Sequence, residues 1–165
     1  MLGLDPGTAA TGYGVVEQAA PAGTRRLLEC GVVRTEASAP LERRLAQIYD
    51  AVAELIARHH PAAVAVESVF VHRNVRSALV LGHARGAALL AAAKANVPVS
   101  EYAPAMVKKT VVGAGAATKQ QVQRMTAQLL RLKSVPTPDD AADGVAIALT
   151  HCMRTGRTFR RAVVA

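Results

Sequence analysis

Four carboxylates stand at the ends of predicted secondary-structure elements. Asp5 ends a short apolar run at the start of the chain, and Glu67 ends the apolar run AVAVE. Asp140 and Asp143 are three residues apart in the first turn of a predicted helix, so they share one face of it. Clustered carboxylates repel one another, and a divalent cation removes that repulsion. Because such a site would offer only oxygen ligands, the pattern indicates Mg²⁺ or Mn²⁺.

Three of these acids also have an ordinary structural interpretation. Asp5 could simply open a D-P-G turn. Asp140 and Asp143 could complement the dipole of the helix that they begin. Glu67 is harder to explain in this way, because it follows a buried run and has no basic partner close to it in sequence.

Apolar runs and turn residues predict three strands in a meander, followed by alternating helices and strands. The predicted strands cover residues 1–5, 11–19, 26–36, 62–67 and 97–102, and a Pro-Ala-Gly turn at 21–23 joins the second to the third. The predicted helices cover residues 41–60, 77–95, 104–112, 118–132 and 139–154. This order predicts an α/β domain with a mixed sheet. In such sheets, sites form at the carboxyl ends of central parallel strands, where Asp5 and Glu67 are expected.

The charge of the chain favours a polyanionic partner. Its 20 Lys and Arg residues outnumber its 12 Asp and Glu residues, for a net charge of +8. Nucleic acid is the commonest partner of such a basic domain. Ten basic residues follow Tyr102, and the three acids in the same stretch lie within five positions, at 139, 140 and 143. This suits a metal site set in a phosphate-binding surface, although a basic surface beside a helix N-terminus would produce the same pattern.

Length and composition narrow the class of protein. The 165 residues fit one domain, predicted as residues 1–155 with a basic tail at 156–165. With neither a signal peptide nor an apolar run of about 18 residues, we expect a cytoplasmic protein that does not enter a membrane. Cys30 and Cys152 are expected to be reduced, buried thiols. The histidines lack zinc spacing, and T-G-Y-G at 11–14 lacks the context of a dinucleotide-binding loop.

Five segments in order resemble the RuvC family of Holliday-junction resolvases from about residue 2 to residue 153. They are GLDPGTAATGYGVV, VESVF, HRNVRSALVLGHARG, VKKTVVGAGAATKQQV and DDAADGVAIALTHC. The resemblance implies a ribonuclease-H-like fold, with a five-stranded mixed sheet flanked by helices. It also implies a homodimer that binds two Mg²⁺ per active site, with Mn²⁺ as a substitute.

The resemblance carries roles over to individual residues. The catalytic, metal-binding carboxylates would be Asp5, Glu67, Asp140 and Asp143. Because Asp139 and Asp140 are adjacent, either of them could be the one that reaches a metal, and the spacing of the motif favours Asp140. Phe70 matches an aromatic that contacts unpaired bases at the junction. The candidate DNA-binding residues are Phe70, Arg73, Asn74, Arg76, Lys108 and Lys119.

The activity that the resemblance implies is resolution of four-way DNA junctions by paired, symmetric nicks, in recombination and repair. Two metal ions roughly 3.5–4 Å apart would activate a water and stabilise the leaving 3′ oxygen. Two equivalent nicks need two equivalent sites, which a two-fold homodimer supplies. The Ala/Gly-rich helix near 77–95 is the candidate dimer contact, through Gly82, Ala84, Gly86 and Ala88. A RuvA–RuvB branch-migration complex is the further partner implied.

Two other functions fit parts of the pattern. The D-x-G-T run followed by a Gly-rich hairpin also resembles the phosphate loop of sugar kinases and actin-like ATPases. Those proteins close a second domain over the nucleotide, and 165 residues leave little room for one. A DNA-binding module without catalytic activity would share the charge but not need the carboxylates.

Overall fold

Five strands form one mixed sheet in the computed structural model, which describes residues 1–19, 24–68 and 75–162, with side chains up to residue 155. The strands are β1 (Leu2–Asp5), β2 (Ala10–Gln18), β3 (Arg25–Arg34), β4 (Val64–Glu67) and β5 (Val99–Tyr102). Their order across the sheet is β3-β2-β1-β4-β5. The meander β1–β2–β3 is antiparallel, whereas β1, β4 and β5 are parallel. The predicted five-stranded mixed sheet is confirmed.

The described part of the chain also contains five helices, which begin after β3 and alternate with β4 and β5. They are α1 (Leu41–His59), α2 (Val75–Lys94), α3 (Pro104–Val112), α4 (Lys119–Leu129) and α5 (Asp139–Ala162). The predicted boundaries agree to within a few residues, except that α5 continues eight residues past its predicted end at Arg154. No proline interrupts this stretch, so the helical backbone runs on into the segment predicted as a tail. The division into a domain at 1–155 and a tail stays a prediction.

Alternation along the two central strands sends their side chains to opposite faces of the sheet. Leu2, Leu4, Val64 and Val66 are fully buried in a core that they share with α1 and α2. On the other face, Ala65 packs with residues of α3, α4 and α5. Asp5 and Glu67 belong to this second face by the same alternation, which turns both carboxylates toward α5.

Helix α5 packs unusually close to the sheet because glycines line the contact. A Cβ added at Gly3 would lie 2.3 Å from the carbonyl oxygen of Gly144, and one added at Gly144 would lie 2.6 Å from the Tyr13 backbone. At Gly14, a Cβ would lie 2.5 Å from the Cα of Val145. Real Cβ atoms do not approach other atoms this closely, so helix and strands are in direct backbone contact. This contact determines where the first turn of α5 lies.

The two thiols differ in environment. Cys152 on α5 is buried, as expected, but Cys30 is only half-buried. The expectation was wrong for Cys30 because its strand, β3, lies at the edge of the sheet. None of the helices in the described ranges combines the length and apolar character that a membrane span requires.

Candidate active site

Two of the four predicted carboxylates end adjacent parallel strands. Leu4 of β1 lies opposite Val66 of β4, so the next residues, Asp5 and Glu67, emerge at the same edge of the sheet. Asp5 is the last residue of β1, the central strand of the sheet. The loop that follows is held in place by Thr11, which is fully buried. Its hydroxyl donates to the carbonyl oxygen of Gly7 at 2.9 Å and accepts from the Gly7 N–H at 3.3 Å.

The first turn of α5 brings two further carboxylates to this edge. Gly12 on β2 pairs with Asp5 across the sheet. A Cβ added at Gly12 would lie 1.9 Å from the carbonyl oxygen of Asp140, so α5 begins directly against this strand. As a result, one carboxylate oxygen from each of Asp5, Asp140 and Asp143 lies within 4.8 Å of the others. Three oxygen donors at this spacing fit a hard divalent cation.

The fourth carboxylate lies in the adjoining cleft. Glu67 lines a cleft of about 270 Å³ together with Asp5, Asp143, Lys108 and Lys119. Its apolar wall is formed by Pro104, Val107, Val122, Ala146 and Ile147. The cleft therefore joins carboxylates from the sheet and α5 to lysines from α3 and α4.

Burial, together with repulsion from neighbouring carboxylates, raises the pKa of Asp5, Glu67 and Asp143. Burial, together with the charges of Glu67, Asp143 and Asp140, raises the pKa of Asp5 to about 7. Burial also raises the pKa of Glu67, reinforced by Asp143 and opposed by the charges of Lys108 and Lys119. The pKa of Asp143 is raised mainly by burial, against a hydrogen bond from Lys119 that lowers it. The group thus holds more negative charge than its protein surroundings neutralise, which is the condition that a bound divalent cation relieves.

Among the described residues, Lys119 is the cation in closest contact with the carboxylates. Its Nζ lies 2.8 Å from Asp143 Oδ2 and 3.7 Å from Asp139 Oδ2. Asp139 has 72% of its side chain exposed and lies outside the three-aspartate group. Of the two adjacent aspartates, the structure therefore places Asp140, and not Asp139, beside Asp5.

Of the other predicted DNA-binding residues, the structure describes Arg76, which does not line this cleft. Arg76 lies in the first turn of α2, in a separate groove beside Thr8 and Ser77. Phe70, Arg73 and Asn74 lie outside the described residues, as does the predicted turn at 21–23.

The glycines that dock α5 are the feature that our interpretation of the sequence missed. Gly12 and Gly14 were considered only as a nucleotide loop and set aside. Their signal was available in the sequence: small residues alternate at Ala10, Gly12 and Gly14 of β2, β1 carries Gly3, and α5 carries Gly144. This pattern is what a helix in backbone contact with a sheet requires.

Comparison with known proteins agrees with this geometry. The model of the family described as "Crossover junction endodeoxyribonuclease RuvC" matches residues 1–151. A protein of that name from Halorhodospira halophila is 52% identical over 151 residues, covering 92% of this chain and 88% of the relative. Another from Pelotomaculum thermopropionicum is 49% identical, covering 92% of this chain and 91% of the relative.

Solved structures support the same assignment. The structure of Thermus thermophilus RuvC in complex with Holliday junction substrate superposes with a TM-score of 0.89 at 41% identity, covering 95% of this chain and 94% of that one. A yeast mitochondrial Holliday junction resolvase, 16% identical, shares the fold with a TM-score of 0.61 over 99% of this chain and 85% of that one. The ribonuclease-H-like fold is thereby confirmed. These matches favour the nuclease over the ATPase and over a non-catalytic module, and the chain belongs to the RuvC family of crossover junction endodeoxyribonucleases.

Proposed function

We propose that this chain resolves four-way DNA junctions by paired, metal-dependent nicks, in recombination and repair. The observation that carries the proposal is the group of Asp5, Asp140 and Asp143, whose oxygens lie within 4.8 Å of one another beside the cleft that holds Glu67. Family membership supplies the reaction class, and the basic charge of +8 suits a DNA substrate.

The metal ligands in this proposal are Asp5, Glu67, Asp140 and Asp143. Mg²⁺ is the proposed metal, two ions per site, with Mn²⁺ able to replace it, because all the donors are carboxylate oxygens. Divalent ions bound there supply Lewis acidity to the attacking water and to the leaving 3′ oxygen. Asp5 interacts with the charges of the other three carboxylates, so it would hold the metal together with them.

The proposed DNA contacts surround this site. Lys108 and Lys119 line the carboxylate cleft and would hold the scissile phosphate. Arg76, in the groove beside Thr8, would contact the backbone at a second point. Phe70 would stack on an unpaired base, and Arg73 and Asn74 would bind beside it. The Thermus thermophilus relative was solved in complex with its Holliday junction substrate, which supports a four-way junction as the DNA bound here.

A homodimer is the proposed form of the enzyme, through the outward face of α2. Val75, Leu79 and Leu90 are 67%, 61% and 54% exposed on this helix. Gly82 and Gly86 have nothing within 4 Å of an added Cβ, so this face is open to a close partner. With a period of three and four residues, these five positions form one apolar stripe.

The dimer contact predicted from sequence needs one correction. Ala84 and Ala88 are fully buried in the core between α2 and the sheet, so they are not available to a partner. Only Gly82 and Gly86 of the predicted set face outward. Beside the stripe, Leu45 and Tyr49 of α1 line a groove of about 370 Å³ with Gly86 and Leu90. A second copy of the chain would fill it and bring two equivalent sites to a two-fold junction.

Two wider proposals follow from family membership. The RuvA–RuvB branch-migration complex is the proposed partner at the junction. The cytoplasm is the proposed location, because it is where a bacterial enzyme of recombination and repair would meet chromosomal DNA.

Cleavage of a synthetic four-way junction tests the proposed function. Asp5→Asn, Glu67→Gln and Asp143→Asn should each reduce the Mg²⁺-dependent cleavage rate by at least about a thousandfold, because each removes a proposed metal ligand. Junction binding in a gel-shift assay should survive, since it depends on phosphate contacts.

Asp139→Asn is the matched control for these variants. It removes an aspartate next to Asp140 that is mostly exposed and outside the three-aspartate group, so cleavage should be largely retained. Normal turnover by Asp5→Asn or Glu67→Gln in Mg²⁺ would contradict the proposal.

A further inference from the structure

The ammonium group of Lys119 occupies a position that a metal would compete for. It lies 2.8 Å from Asp143 Oδ2, a hydrogen-bonded ion pair, and Asp143 belongs to the three-aspartate group. A second aspartate, Asp139, lies 3.7 Å from the same nitrogen. Lysine is thus the positive charge that balances this end of the carboxylate cluster within the protein chain.

The backbone of Lys119 is fixed, while its side chain is free to move. Lys119 is the first residue of α4, and Thr118 caps that helix. The Thr118 hydroxyl accepts from the Gln121 N–H at 3.2 Å, and the Gln121 side chain accepts from the Thr118 N–H at 2.8 Å. The Lys119 side chain is 49% exposed. It can therefore leave Asp143 by rotation about its own bonds, without unwinding the helix.

Lys108 provides the contrast within the same cleft. It lines the cleft and lowers the pKa of Glu67 by its charge. Among the residues that the structure describes, no carboxylate lies within ion-pair distance of its Nζ, whereas Lys119 has two. The two lysines contribute equal charge to the cleft. Of the two, only Lys119 forms an ion pair with a proposed metal ligand, Asp143.

We propose that Lys119 is a displaceable counter-cation, which neutralises Asp143 until a divalent metal binds and which the metal then releases toward the DNA phosphate. Two cations cannot both lie against the same carboxylate oxygen without strong mutual repulsion, so a bound metal would exclude the ammonium from Asp143. Once it leaves Asp143, the ammonium stays within the cleft, because its four-carbon side chain limits how far it can move. Metal loading would thereby create one of the phosphate contacts. This inference rests on the proposed function, since it needs Asp143 to be a metal ligand.

Metal affinity without DNA tests the displacement. In 0.15 M salt, Mn²⁺ binding to the wild type, Lys119→Met and Lys108→Met would be measured by calorimetry. Both variants remove one positive charge from the cleft, so both should bind Mn²⁺ more tightly than the wild type. Lys119→Met should gain about two- to fivefold more than Lys108→Met, because it also removes a competing ion pair. Circular dichroism would confirm that both variants are folded.

The lysine ammonium groups can also be followed directly. In ¹⁵N-labelled protein, the Lys119 Nζ signal, assigned by its loss in Lys119→Met, should shift as Mg²⁺ saturates the site, and the Lys108 signal should shift less. Equal gains in affinity for the two variants, or an unmoved Lys119 signal while Mg²⁺ binds, would overturn this inference and leave the proposed function intact. If neither Mn²⁺ nor Mg²⁺ binds the wild type, both the inference and the proposed metal site fail.

Discussion

Helices α5 and α2 are both rich in alanine and glycine, but they use these residues differently. On α5, Gly144 lies against the Tyr13 backbone, Ala148 lies against Gly3, and Ala141 and Ala142 are fully buried. On α2, alanines fill the inward face, while Gly82 and Gly86 lie on the outward face with nothing near them. Contacts within one chain explain the small residues of α5, but they explain only some of those of α2.

The difference shows what a run of small residues does and does not indicate. In both helices it signals that another backbone can approach closely. The sequence alone does not say whether that backbone belongs to the same chain. In α5 the close approach positions the carboxylates of Asp140 and Asp143 beside Asp5, so the small residues determine the geometry of the site. In α2 the open glycines are left for a partner, which is why we propose this face for the dimer.

Substituting one helical glycine in each element tests the comparison most strongly. Helix propensity alone would make both Gly144→Ala and Gly82→Ala stabilising by up to about 1 kcal/mol. Packing reverses the sign at Gly144, where a Cβ would lie 2.6 Å from backbone atoms of Tyr13. We expect Gly144→Ala to lower the free energy of unfolding by about 3 kcal/mol.

Urea denaturation of both variants, with the wild type as reference, measures this effect. Gly82→Ala is the control, because an added methyl group meets nothing within 4 Å in the chain. Equal effects of the same sign would show that α5 does not depend on backbone contact.

The next largest effect comes from the burial of Asp5 among the other carboxylates, which raises its pKa. Without metal, native Asp5 keeps its proton up to about pH 7, whereas an unfolded aspartate loses it near its ordinary pKa of 3.8. Between these values the unfolded state binds fewer protons, so the free energy of unfolding falls as pH rises. Above about pH 7 the native carboxylate is charged and the loss is complete.

Asp5→Asn should remove this dependence, since asparagine is neutral throughout. In EDTA at pH 8 we expect it to be more stable than the wild type by on the order of 2 kcal/mol, with the difference vanishing near pH 4. Denaturation curves across this pH range, with and without Mg²⁺, measure it. Mg²⁺ should shrink the difference at pH 8 by stabilising the wild type. Parallel pH profiles for the two proteins would contradict the raised pKa of Asp5.

The smallest expected effect concerns the outward face of α2. Leucine at position 86 fits the isolated chain, where nothing lies within 4 Å of an added Cβ, but it would separate two closely packed copies. Gly86→Leu should weaken self-association by about tenfold, equivalent to about 1.4 kcal/mol. Sedimentation equilibrium measures the change, and Gln128→Leu on the exposed side of α4 is the control. An unchanged dimer constant would place the interface elsewhere.

The parts of the fold that depend on local pattern were predictable from the sequence. Asp5 and Glu67 were placed at strand ends because an apolar run followed by an acid has few other interpretations. Asp140 and Asp143 were placed on one face because helix geometry dictates it. The order of strands and helices then led to the mixed sheet, and the five motifs led to the family.

The rest depended on contacts between elements far apart in sequence. The ion pair of Lys119 with Asp143 exists because α4 packs beside α5, which no local pattern reveals. The division of α2 into a buried and an open face required knowing which side meets the sheet. The half-burial of Cys30 required knowing that β3 is an edge strand.

One contact described above determines how this site tolerates sequence change. Gly12 separates Asp5 from the start of α5, and its Cα lies directly against the main-chain carbonyl of Asp140. Because the contact is between backbones, the distance between the two carboxylates does not depend directly on the side chains of the surrounding core. Position 12 differs, because every residue larger than glycine would widen that distance. The spacing of Asp5 and Asp140 thus depends on a residue that has no side chain.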